Sequence, residues 1–118
     1  MRAPRETDFF IPIDGVGTFR YGRRTLGDRM RIRAQYLRYT EEFGDDDPNL
    51  SMYAGMFSTH SVLCVEAPSG WEDLADIDAT DEDKVEAAFK LFTELKKMED
   101  SFDKGVVKSG EGQSEGDA

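Results

Sequence analysis

Thr7–Tyr21 reads TDFFIPIDGVGTFRY, and the way these residues pair decides the fold. The first run, Thr7–Ile13, is apolar and aromatic. The second, Val16–Tyr21, sets Phe19 and Tyr21 on alternate positions and therefore on one face of a strand. Asp14-Gly15 stands between them, and Asp-Gly flanked by such runs is among the strongest short-range hairpin signals. Pro12 cannot donate to a ladder, which confines the first strand to an edge. A lone two-stranded hairpin is not stable in water, so this one needs helices or a partner against its apolar face.

The chain that follows supplies three helical patterns. Thr25 and Asp28 form a capping box, with Asp in the place usually held by Glu or Gln. Leu26–Phe43 then carries one apolar row at Leu26, Met30, Ala34 and Leu37 and a second at Ile32, Tyr36, Tyr39 and Phe43. Together they predict an amphipathic helix with a wide apolar face. Gly44 closes it, and Asp45-Asp46-Asp47-Pro48 is a loop. Asn49 is placed to cap a second helix whose stripe is Leu50, Tyr53, Ala54 and Phe57, with Met52 and Met56 beside it. Val62–Val65 reads either as that helix's last turn or as a short strand joining the hairpin. Its β-branching and the Ala67-Pro68 that follows favour the strand. Beyond a turn at Pro68–Trp71 and an acidic connection anchored by Leu74 and Ile77, Thr80 and Asp83 signal the next cap. The helix from Asp81 to about Asp103 aligns Val85, Ala88, Phe89, Phe92, Leu95 and Phe102. Residues 104–118 are rich in Gly, Ser and acids with little to bury, the composition of a disordered acidic tail.

The predicted fold class is therefore α+β and mostly helical: an N-terminal β-hairpin, three helices, room for one short extra strand, and a disordered C-terminal tail. Residues 1–103 form the single domain. With 118 residues, 38% hydrophobic, the chain has one modest core and buries roughly two-thirds of its unfolded surface.

Charge is divided along the chain. Up to Thr40 there are nine Arg against four acids, a net +5; from Glu41 onward six Lys face 21 acids, a net −15. Arg offers a planar fork for carboxylates and aromatic faces, whereas Lys is a solvated point charge. The overall −10 argues against general binding to nucleic acid or anionic lipid. The single Cys64 cannot form an internal disulfide. The longest apolar run, Val62–Val65, is far short of the about 20 residues a membrane span needs, and MRAPRETDFF lacks the apolar stretch of a secretory signal. These features point to the cytoplasm.

No residue pattern calls for catalysis, a metal or a cofactor. His60 and Cys64 would share a helical face as base and thiol, but a lone Cys in an apolar run is ordinarily core. The Asp45–Asp47 run lacks the alternation and downstream Glu of a calcium loop. Gly15-Val16-Gly17 sits inside a hairpin, the wrong context for a phosphate cradle. The arginines admit three readings: a nucleic-acid footprint, pairing with the acidic C-terminal helix, or docking on an acidic or aromatic partner. The first lacks interleaved base-reading groups. Trp71 is either a core plug beneath a loop or an interface anchor. The candidate partner-binding set is Arg29, Arg31, Arg33, Met52, Met56, Phe57 and Trp71.

Three passages carry a family resemblance: Phe10–Thr25 (FIPIDGVGTFRYGRRT), Val62–Trp71 (VLCVEAPSGW) and Met98–Phe102 (MEDSF). With these the chain resembles the tail assembly chaperones of tailed phages, small proteins encoded just before the tape measure protein. The resemblance implies a non-enzymatic protein of the bacterial host cytoplasm. Its partner would be the tape measure protein, which it keeps soluble until tail tube subunits displace it. Two other classes stay open: a structural virion component or head–tail adaptor, and an acidic DNA-mimic inhibitor of a host nuclease.

Overall fold

The computed structural model describes residues 2–42, 44 and 46–110, with 103–110 described by backbone alone. Phe43, Asp45 and the tail residues 111–118, all assigned above, lie outside the described residues. The fold is α+β, with the order β1 (Phe9–Ile13), β2 (Gly17–Tyr21), α1 (Leu26–Thr40), α2 (Pro48–Leu63), β3 (Cys64–Glu66), a 3-10 turn (Leu74–Asp76) and α3 (Glu82–Gly110).

The hairpin forms as the sequence predicts, with Phe9 opposite Tyr21 and Ile13 opposite Gly17. Gly15 turns the chain at φ 79° and Gly17 leaves the turn at φ 137°, backbone positions that favour residues without a Cβ. At Gly17 a Cβ would also lie 2.9 Å from the Pro68 ring. β1 is an edge strand, as Pro12 requires, and β2 is the centre of the order β1-β2-β3. Val62–Val65 resolves into both readings: the helix runs through Leu63, and the strand begins at Cys64, antiparallel to β2. Phe9, Ile11, Ile13, Phe19 and Tyr21 turn inward and meet Leu63, Met56, Trp71, Leu74 and the seam Ala88–Leu91–Leu95 of α3.

Two caps differ from the sequence reading. Asp47, not Asn49, caps α2, its carboxylate accepting from the amides of Asn49 and Leu50, with Pro48 in the first turn. Pro is tolerated there because its missing N–H would have no helical partner. At α3 the Asp81 carboxylate accepts from the Lys84 amide, and the Asp81 carbonyl accepts from Val85. Thr80 is instead turned back onto Asp78. α3 also runs past the expected end near Asp103 to Gly110, since each added residue gains one backbone bond once a helix is nucleated.

The predicted capping box at α1 is present: Asp28 donates its amide to the Thr25 hydroxyl and accepts from the Thr25 amide. The same carboxylate takes Arg2 and Arg31. Burial pushes the Asp28 pKa up, but hydrogen bonds from Arg2 and Thr25 and the Arg2 charge outweigh it and hold the group below its usual value. Removing one member of a buried pair strands the other. Asp28→Ala should therefore cost about 3 kcal/mol in urea unfolding. Arg31→Ala, at an exposed member of the cluster, should cost under about 0.5 kcal/mol. Equal losses would show that the Asp28 cluster does not anchor α1.

Candidate functional site

α1 has one principal neighbour, α2, and this determines the surface that remains. Ile32, Tyr36 and Tyr39 are half-buried, with Tyr39 edge-on to Phe57 of α2. The other apolar row is not buried, contrary to the wide buried face expected from the sequence. Leu26 is 80% exposed, Met30 75% and Leu37 51%, and Ala34 is exposed beside them. At about 100° per residue, the two rows lie on roughly opposite sides of the helix, and a single packing partner cannot cover both.

Arginines border the outward row. Arg33 edges into it with Arg29 on the same side, and Arg31 and Arg38 flank the other; all four are exposed. Arg31 reaches Asp28 at 3.4 Å and Arg33 lies over the Tyr36 ring at 5.5 Å. Among the described residues, Arg29, Arg33 and Arg38 form no ion pair. Pairing with α3 is confined to the segment before α1. There Arg24 holds Glu99 through two nitrogens at 3.0 and 3.2 Å, and Arg23 stacks on Phe102 at 3.9 Å.

The sequence-derived candidates divide. Arg29, Arg31 and Arg33 lie on α1's open side, and Met52 is exposed on α2. Phe57 is half-buried and stacked on Tyr53. Met56 and Trp71, at 9% and 6% exposure, belong to the core and are corrected from surface anchors to packing residues. Trp71 sits edge-on to Phe19 beneath the 68–71 turn, where burial of its large ring outweighs any use at an interface. Met56, Phe57 and Phe89 line an apolar recess of about 250 Å³ between α2 and α3. Leu26, Met30 and Leu37 are the surface that sequence reasoning missed. The available signal was the presence of two apolar rows on a helix with one neighbouring helix in the chain order.

His60 and Cys64 do not assemble as base and nucleophile. His60 Nε2–H donates to the Trp71 carbonyl at 2.9 Å, so Nδ1 is the acceptor for the Tyr21 hydroxyl. Both ring nitrogens are thus committed to structure. Burial keeps Tyr21 protonated by raising its pKa well above the ordinary value. It also pushes the Cys64 thiol up to about 12, which leaves little of the reactive thiolate. No helix among the described residues is long and apolar enough to cross a membrane. The chain matches no family model, and no curated protein or solved structure shows a significant match to it.

Burial lowers the His60 pKa, outweighing the Trp71 carbonyl and the Asp73 charge, which raise it. The folded state therefore prefers neutral imidazole. The unfolded chain binds the extra proton below about pH 6.5, so stability is complete above that value and falls as acid is added. Below about pH 6.5 the slope should rise toward its one-proton limit of about 1.4 kcal/mol per pH unit. His60→Gln should be less stable at pH 7 yet lack this slope. Urea titrations at several pH values distinguish the two, and an undiminished slope in the variant would assign the effect to other groups.

Proposed function

We propose that this protein is a non-enzymatic escort for another polypeptide: a tail assembly chaperone of a tailed phage, acting in the bacterial host cytoplasm. It holds the tape measure protein in solution until tail tube subunits take over. The observation that carries this reading is the outward face of α1, where Leu26, Met30 and Leu37 stand in water among arginines of which Arg29, Arg33 and Arg38 form no ion pair among the described residues. Three large apolar side chains in one row on an otherwise charged surface mark an interaction site. The net charge of −10 supports the same reading, since an acidic escort lends solubility to what it covers. The three passages that resemble phage tail chaperones supply the partner's identity.

The test is co-expression with a tape measure protein, the long helical chain whose reading frame this proposal places immediately downstream. The expected result is that the long protein is soluble only when this chain is present and that the two co-purify. The chain should also be missing from purified virions. Its recovery in particles at fixed stoichiometry would instead identify a structural component or head–tail adaptor. Tight binding to a basic nuclease would identify a DNA mimic. Either result would end the chaperone reading.

A further inference from the structure

We infer that α1 docks one helix of an acidic amphipathic partner in coiled-coil fashion, with Arg33 receiving a carboxylate inside the apolar seam. This deepens the escort reading and rests on it. Leu26, Met30, Arg33 and Leu37 are spaced four, three and four residues apart, which is the alternation of a and d positions in a heptad seam. Three of the four are large, apolar and exposed. The fourth is a guanidinium with no ion pair among the described residues. A single polar residue in such a seam fixes register and selects the partner at some cost in affinity. The carboxylate that pairs with it must therefore come from the occupant.

Charge selects the class of occupant. Arg29 borders the seam on one side, Arg31 and Arg38 lie on the other, and the one acid of α1, Asp28, is buried on the opposite face. A second copy applying its own α1 would set arginines against arginines, and like charges across an interface are costly. A second copy applying the described solvent side of α3, residues 82–102, would offer carboxylates and lysines without an exposed apolar row. The solvent side of α3 carries Glu82, Asp83, Glu86, Lys90, Lys96 and Lys97. Nucleic acid would satisfy the arginines but leave Leu26, Met30 and Leu37 facing phosphate and water. An amphipathic helix with leucines at its seam and glutamates on its flanks meets both requirements.

The probe is a synthetic helical peptide of about 21 residues (three heptads), with Leu at a and d, one central seam Leu replaced by Glu, and Glu at e and g. Labelled for fluorescence anisotropy, it is titrated with the full-length protein. Saturable binding is expected. Arg33→Glu and the double substitution Leu26→Ser/Met30→Ser should each weaken it at least about tenfold, with circular dichroism and melting unchanged because these side chains are exposed. Changing the peptide's seam Glu to Arg should restore binding to Arg33→Glu. The inference is overturned by equal binding of a peptide with Lys flanks, by no binding of the Glu peptide, or by undiminished binding of the α1 variants. It is also overturned if the free protein dimerises through the same residues in sedimentation. Tape measure protein that co-purifies equally with the wild type and Arg33→Glu would remove this inference and leave the escort role standing. A peptide that binds as expected while the tape measure protein does not would do the reverse.

Discussion

Tyr21, His60 and the Trp71 carbonyl form one hydrogen-bonded line through the core, placed where the central strand, the second helix and the 68–71 turn meet. Each member fixes another element. Tyr21 belongs to β2, whose two neighbours are β1 and β3. His60 lies one turn before the end of α2, so its rotation about that helix axis is set by both ring nitrogens at once. The price of an unmade hydrogen bond in the interior is about 1–3 kcal/mol, enough to disfavour any register of α2 that would turn His60 away. Phe19 packs edge-on against both His60 and Trp71, joining the polar line to the apolar core around it. Because α2 is held in this way, the helix that lies upon it is held too. The open side of α1 is therefore a consequence of where a buried histidine points.

Electrostatics complete the attachment. Four of the five arginines before α1 are used within the molecule: Arg2 on Asp28, Arg20 on Asp8, Arg24 on Glu99 and Arg23 on the Phe102 ring. Those within α1 are largely left to solvent. This division follows the geometry, since α3 passes beside the segment leading into α1 and does not cover the helix itself. Two partly buried pairs with fixed geometry contribute more than the exposed lysine pairs of α3, Lys96–Asp100 and Lys97–Glu94, which are worth little in water. Among the described residues, Arg24–Glu99 is the one ion pair that joins the +5 and −15 halves of the sequence, and much of the positive half remains available on one face.

Much of this fold was legible in the residues. Asp14-Gly15 between alternating runs specifies the hairpin, Pro12 sets its edge, and the spacing of α3 identifies a helix. The caps were less legible because each lies in a cluster of capable residues: Asp46, Asp47 and Asn49 compete at α2, and Thr80, Asp81 and Asp83 at α3. Periodicity does not say which of several adjacent oxygens meets the amide. Leu91, fully buried at the middle of the α3 seam, was hidden between two phenylalanine positions that looked like the natural face. The candidate site was the least legible. A sequence shows that Leu26, Met30 and Leu37 form a row, but whether anything covers that row depends on how many elements the chain has left to place against it. Met52 and Met56 make the same point within one helix: both are methionines on α2, and only the position facing Leu63 and the sheet is buried.

The exposed row is small, and its size bears on what an escort has to do. A stable protein interface buries about 800 Å² on each partner, and one short helix face with three large apolar side chains offers considerably less. Contacts of this kind are weak and exchange quickly, because affinity among related interfaces is set mainly by the off-rate. On the proposed escort reading this would be an advantage, since such a partner would have to be surrendered rather than retained. On that reading, strength of hold would come from repetition, with many copies along one long partner and each contact individually reversible. The acidic remainder of every bound copy would then face water and give the coated partner a shell of like charge that resists self-association. Adhesion and solubility are thus divided, on the proposed reading, between the arginine-rich and the carboxylate-rich parts of one short sequence.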